Sequence, residues 1–253
     1  MHSNACTQAT QALADLGALR VWSLLVTVFG DLAPDHPLDG PTLSVLMTGI
    51  GIKPEATRVA LHRLRSDGWI TSQKHGRISA HSLTTTGQHH SVAARQRIYG
   101  TPDEMGRGAF VIVTPDIDSS LDPAEFAQIA PRLFVCGADT PFPDTAMQLA
   151  PMDLPPWLGR QIETETMRDA YKSLHAVLMD IDAELPAGTE LAPLDTAVLR
   201  VMIVHAWRRL ALKHPDLPQA AHSPDWRGHA CRALVTTLLE RFARPELDAI
   251  KAA

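Results

Sequence analysis

Arg58, His62 and Arg65 follow one another at i, i+4 and i+7, and each carries a hydrogen-bond donor. On an α-helix that spacing gathers the three side chains on one face. Guanidinium and imidazole donors arranged in this way suit the acceptor edges of bases and the oxygens of phosphates. Ala56, Ala60 and Leu64 form the opposite stripe, with Thr57 and Leu61 beside it, so residues 54–67 read as an amphipathic helix with a basic outer face. An ordinary solvated helix has the same pattern. What favours a nucleic-acid face is the next segment, where Lys74, His75 and Arg77 crowd the turn of an expected hairpin. The candidate contacts to duplex DNA are Lys53, Thr57, Arg58, His62, Arg65, Lys74, His75 and Arg77.

A second group lies far downstream. His205, Trp207, Arg208 and Arg209 sit in an apolar, helical stretch, where cations and an aromatic amphiphile could take an anionic or acyl ligand. The alternative is that Trp207 packs in the core and the arginines pair with acids such as Asp216 or Asp225. Arg200 and Arg208 lie about 80° apart on a helix, with His205 nearly opposite Arg200. Arg200, Trp207 and Arg208 are therefore the candidate effector contacts, and His205 reads as a core or interhelical hydrogen bond.

Twelve histidines and three cysteines invite a catalytic or metal reading, yet no His-Glu-x-x-His, close His/Cys quartet or Gly-x-Ser-x-Gly occurs. His89-His90 reads as solvated, and His229-Ala230-Cys231 has nothing near in sequence to complete a tetrahedron. Gly49 and Gly51 lack the rest of a dinucleotide fingerprint, and Asp116-x-Asp118 and Asp180-x-Asp182 lack the glycine and glutamate of a calcium loop. No catalytic residue, metal or cofactor is expected, and the chain does not read as an enzyme.

The 253 residues are 45% hydrophobic and 20% charged, as in folded soluble proteins, and suffice for two or three modules. A net charge of −5 hides an asymmetry. Residues 53–97 carry eight Lys/Arg against two acids, a local +6, whereas residues 101–160 carry three Arg against nine Asp/Glu, a local −6. Three scattered cysteines suit a reducing cytoplasm, and no signal-type segment or membrane span is read.

The elements that must position these residues follow from pattern. Helical periodicity from Leu13 to Phe29, a short helix over Thr42–Met47, the basic helix from Pro54, strands over Trp69–Lys74 and Arg77–Leu83, and a helix over Gln88–Tyr99 make a winged helix-turn-helix order. The basic helix would be the recognition helix and the hairpin the wing. In the middle, strands are expected over Phe110–Thr114 and Leu133–Cys136, with a short helix over Pro123–Ile129. Three helices follow, around the stripe Met167, Tyr171, Leu174, Leu178 and Ile181, then about Asp195–Lys213 and Arg227–Phe242. The expected fold is α+β and multidomain: residues 1–100 for DNA binding, a small unit at 101–152, and an all-α effector and dimerisation domain at 153–253.

The run Leu24-Leu25-Val26-Thr27-Val28-Phe29-Gly30-Asp31 resembles the PaaX family of bacterial repressors of phenylacetate degradation genes. So do Ile52, Arg58, Ala60-Leu61, Arg63-Leu64, Asp67-Gly68-Trp69, Leu83-Thr84, Gly87 and Arg97-Ile98-Tyr99-Gly100. The likeness resumes in Leu199-Arg200, Ile203 to Arg209, Asp216-Leu217-Pro218 and Asp225-Trp226. Ile78-Ser79-Ala80-His81 departs from the family pattern, which has aromatic residues there. The resemblance implies a reduced ferredoxin-like middle domain, similar to the small CRISPR-associated endoribonuclease subunit, with Ala109 in place of a tryptophan. It also implies an acyl-coenzyme A inducer such as phenylacetyl-coenzyme A. The reading is a cytoplasmic repressor of a catabolic operon that binds an operator as a homodimer. The alternative is a nucleic-acid-processing or RNA-binding factor that uses the middle domain.

Overall fold

In the computed structural model, which describes residues 2–101, 108–116, 121–149 and 155–251, a break at Gly17 separates α1 (His2–Asp15) from α2 (Val21–Leu32). α2 is apolar around most of its circumference and buries eight of its twelve residues, as a helix enclosed by other elements must. Asp39 caps α3 (Gly40–Gly49), its Oδ1 accepting from Thr42 N at 2.7 Å, and Pro41 sits in the first turn, where its missing N–H is harmless. α3 and α4 (Pro54–Ser66) end in the same way. Ile52 N reaches Met47 O at 2.9 Å and Gly51 N reaches Thr48 O at 2.8 Å, while Trp69 N reaches Leu64 O at 2.9 Å and Gly68 N reaches Arg65 O at 3.1 Å. These are Schellman closures, which need a left-handed residue. Gly51 (φ 87°) and Gly68 (φ 73°) supply it without the Cβ penalty.

β2 (Ile70–His75) and β3 (Ile78–Leu83) pair antiparallel from Ile70 opposite Leu83 to His75 opposite Ile78, leaving Gly76-Arg77 as a two-residue turn. β1 (Leu38–Asp39) joins the other edge of β3, so the sheet order is β1-β3-β2. Thr84 then caps α5 (Thr85–Tyr99) by accepting from Gly87 N at 3.1 Å.

The middle of the chain departs from expectation. β4 (Ala109–Val113), β5 (Ala127–Ala130), β6 (Leu133–Gly137) and β7 (Met147–Gln148) form an antiparallel sheet in the order β5-β6-β4-β7. The strands expected near 110–114 and 133–136 are present. The helix expected over Pro123–Ile129 is not: residues 123–125 form a turn, and 127–130 pair with β6. Asp122 accepts from Ala124 N at 2.8 Å and so holds that turn, while strand pairing and the burial of Phe126 and Ala127 override a weak helical pattern. A ferredoxin-like unit interleaves helices with its strands, and the described residues between 108 and 149 contain none.

α6 (Pro156–Ile162), α7 (Glu165–Glu184), α8 (Pro193–Ala211), α9 (Gly228–Arg241) and α10 (Leu247–Lys251) complete the chain. The stripe Met167, Tyr171, Leu174, Leu178 and Ile181 is the buried face of α7. α8 is central. It buries Ala197 through Trp207 without a gap and packs on α1, α2, α3, α5, α7, α9 and α10. One hydrophobic cluster takes in Phe29, Leu46 and Leu64 together with Leu174, Ile203 and Leu238, so the first and last expected units share a core.

Polar bonds fix the two halves across that core. Asp31 and Arg200 are 0% and 5% exposed. Arg200 Nε donates to Asp31 Oδ2 at 2.7 Å, Nη2 to Oδ1 at 3.0 Å, and Nη1 to Leu239 O and Phe242 O, each at 2.9 Å. Tyr99 also donates to Asp31 Oδ1, at 2.9 Å, and burial followed by the Asp31 charge pushes its phenol well above the usual range, so it stays a donor. Asp31→Asn would strand a buried guanidinium. Equilibrium urea unfolding should show a loss of about 3–5 kcal/mol, and an unchanged midpoint would show that this pair does not hold the halves together.

Candidate nucleic-acid interface

A stack of rings sets the pose of α4 and the β2–β3 hairpin. Trp22 on α2 meets Trp69 edge-on at 5.6 Å, and Trp69 stacks on His90 of α5 at 5.0 Å. Trp22 Nε1 donates to Asp67 Oδ2 at 3.1 Å, and Thr84 Oγ1 donates to Gly68 O at 2.5 Å. The end of α4, the start of β2 and the cap of α5 are therefore tied to one another and to α2.

On this support Lys53, Arg58, His62 and Arg65 are exposed along α4, and Lys74 and Arg77 are exposed at the hairpin. Among the described residues none of these six side chains has a hydrogen bond or an ion pair, whereas Arg63 pairs with Asp67 at 3.7 Å. The side chain of His75 lies outside the described residues. Thr57 is a correction. It is 6% exposed and its hydroxyl donates to Lys53 O at 3.4 Å, because it falls on the side of Ala60 and Leu64. It steadies the first turn and presents nothing outward.

The two basic segments adjoin, because α4 packs against β2. His81 on β3 is buried, and its Nδ1 lies 2.7 Å from Oγ of Ser72, its cross-strand partner. Burial first, and then the charge of Arg65, lower its pKa. The two segments are rich in exposed donors and cations, and the imidazole of the Ser72–His81 pair is buried. Exposed donors and cations suit phosphate oxygens and the acceptor edges of bases. Among the described residues no group of three His, Cys, Asp or Glu could hold a metal ion.

The expected effector residues are not brought together. Arg200 is a correction, since all three of its nitrogens are spent on Asp31 and the carbonyls of Leu239 and Phe242. Trp207 is another: it is 2% exposed, and its Nε1 donates to Ile98 O at 2.9 Å. Only Arg208 keeps part of its side chain at the surface, where it lines a cleft, while its Nη1 donates to Ser23 O at 3.0 Å and Thr27 Oγ1 at 3.1 Å. His205 makes the interhelical bond its position implies, Nδ1 to Thr27 Oγ1 at 3.1 Å. Asp216 pairs with Arg232 at 2.6 Å instead of an α8 arginine. Sequence reading missed Arg232, a lone cation in the apolar stripe of α9.

Residues 20–87 match the family described as PaaX-like protein, and residues 163–251 match the PaaX-like protein C-terminal domain. The chain is also similar to the transcriptional repressor PaaX of Escherichia coli (strain K12), with 23% identity over 236 residues, covering 80% of this chain and 73% of that protein.

Burial, then the charges of Arg208 and Arg209, hold the His205 imidazole below its ordinary 6.5, at about 4. A depressed histidine contributes fully above its unfolded value. It loses that contribution as pH falls from 6.5 toward 4, because the unfolded chain takes the proton first. Between pH 7 and 5 this residue should cost about 2 kcal/mol of stability. Urea midpoints at the two pH values should converge by that amount in His205→Gln, and a wild type equally stable at both would contradict it.

Proposed function

The chain belongs to the PaaX-like family, and from that premise we propose that it is a transcriptional repressor, a regulator and not an enzyme, that binds operator DNA through α4 and the β2–β3 hairpin. In this reading α2 to α5 are a winged helix-turn-helix, with α4 in the major groove and the hairpin on the adjacent backbone. The reading is supported by Arg58, His62, Arg65, Lys74 and Arg77, each exposed and without a protein partner among the described residues, on a helix and a hairpin that pack on one another. Cations left unpaired in this way are free to replace the counterions of a duplex.

One such helix covers only a few base pairs. Selectivity against a genome calls for a homodimer on an inverted repeat, and the C-terminal helices are the natural platform for it. The division into residues 1–100, 101–152 and 153–253 is then one of task, since the first and last share a core. The setting is the cytoplasm: the three cysteines are free and buried, and no helix among the described residues is long and apolar enough to cross a membrane. The repressed genes would be a catabolic operon released by an acyl-coenzyme A thioester such as phenylacetyl-coenzyme A. The RNA-processing alternative has less support, because the acidic stretch 101–160 is a poor groove for a polyanion.

Arg58→Ala should cost about 1–3 kcal/mol of binding to the selected duplex and relax its sequence preference, with a stability change under about 0.5 kcal/mol. Lys74→Ala and Arg77→Ala should instead weaken all duplexes alike, each flattening the salt dependence by about one phosphate contact. Selection from random duplexes followed by salt-titrated gel shifts separates these behaviours. Identical binding by Arg58→Ala and wild type would remove α4 from the interface.

A further inference from the structure

The outer face of α4 has two flanks. At about 100° per residue, Arg65 lies about 60° round the helix from His62 on one side, and Arg63 about 100° from it on the other. The Arg65 flank is on the hairpin side, for α4 packs against β2 and the charge of Arg65 acts on His81 of β3. The Arg63 flank borders a cleft of about 1160 Å³, whose other walls are the start of α2 and the last turns of α8.

Five cations line this cleft, Arg20, Arg63, Arg208, Arg209 and Lys213, against the single acid Glu55. Arg208 is committed to Ser23 and Thr27, and Arg63 pairs with Asp67. Arg20, Arg209 and Lys213 have no hydrogen bond or ion pair among the described residues. Arg20 and Lys213 are exposed, and the Arg209 guanidinium lies where a Cβ on Gly17 would collide with it. Like charges gathered in one cleft repel, and a bound anion relieves that repulsion. Val21, Leu212 and Val59 line the same cleft, the last at 70% exposure. A strand of nucleic-acid backbone offers the matching alternation, a phosphate charge and then the apolar face of a deoxyribose.

We propose that this cleft seats the sugar–phosphate strand on the side of α4 away from the hairpin, so that the start of α2 and the end of α8 belong to the DNA interface. The proposal rests on the reading of α4 as the helix that enters the major groove. A helix about 10–12 Å across fills a groove about 12 Å wide, and each strand bordering the groove then runs along one flank of the helix. Lys74 and Arg77 of the hairpin take one strand. Arg20, Arg209 and Lys213 take the other, two of them from the C-terminal helices. Phosphate contacts carry no sequence information of their own, but they fix register and orientation. Held on both flanks, α4 cannot roll about its axis, and that sets where Arg58 and His62 meet base edges.

The test uses the full chain and the selected duplex, in salt-titrated gel shifts and phosphate-ethylation interference. Arg20→Gln/Lys213→Gln changes two exposed positions outside the contacts assigned above. It should flatten the salt slope by about 1.8, the value for two lost phosphates, so that going from about 50 to 200 mM salt costs about 12-fold less affinity than in wild type. Sequence preference and melting temperature should not change. Lys172→Gln on α7, a helix that packs on α1, α8 and α9, controls for general loss of charge and should bind as wild type does. The phosphates whose ethylation blocks wild type but not the double variant should lie across the major groove from those released in Lys74→Ala/Arg77→Ala. A double variant with the slope and interference pattern of wild type takes the cleft off the DNA and leaves the reading of α4 standing. A slope flattened as much by Lys172→Gln, or flattened with no particular phosphate released, is diffuse charge and overturns the seat. If wild type binds no duplex in a salt-dependent way, the reading of α4 fails and the proposal with it.

Discussion

Asp31 and Arg200 are separated by 169 residues and meet in a bidentate pair closed to water. A buried guanidinium is tolerated only when its charge is matched and its donors have acceptors. Here the charge comes from the end of α2 and the remaining acceptors from the carbonyls at the end of α9, so satisfying one side chain fixes α2, α8 and α9 relative to one another. Tyr99 adds the end of α5 to the same carboxylate. The bonds of Trp207 to Ile98, Arg232 to Gly100 and Arg97 to Ala211 repeat the theme at the same seam. The basic surface stands on α2 through Trp22, Asp67 and Trp69, so its pose depends in turn on that pair.

This arrangement gives a physical meaning to the residues that carry the family resemblance. Gly30-Asp31, Arg97-Ile98-Tyr99-Gly100, Leu199-Arg200, Trp207 and Asp216 are far apart in sequence, and apart from Arg58 the quoted motif holds few outward-facing groups. Most of its polar members are seam residues that join α2 and α5 to the C-terminal helices. Under the proposed function such a seam is what would let a site on one side influence the other, because a loosely tethered domain would shift nothing. The shared core joins α4 and α8 in one body through α2 and α3, on which both pack.

Legibility in the sequence followed the strength of periodic signals. The outer face of α4, the hairpin and the stripe of α7 were readable because one side of each meets water and the other does not, so the period appears in the residue types. α8 lacked that contrast. It is buried all round, and nothing in its spacing separates an arginine locked in the core, Arg200, from one at a cleft, Arg208. Thr57 shows the same limit at the scale of one residue, since a small hydroxyl suits a buried turn as well as a phosphate. The two-residue strands β1 and β7 are too short for any pattern, and β5 exists because β6 offers it an edge. The cleft had a partial signal in Arg208-Arg209 and Lys213, but its other wall, Arg20 to Val59, is assembled only by the fold.

The shared core and the Asp31–Arg200 seam should make the N-terminal helices and the C-terminal helices one cooperative body. Native-state hydrogen exchange at increasing urea measures it most directly, amide by amide. The slowest amides of α2, α5 and α8 should converge on one opening free energy with one urea dependence. If α2 and α5 open at lower free energy and with a smaller urea slope than α8, the two units are separate and the seam does not couple them.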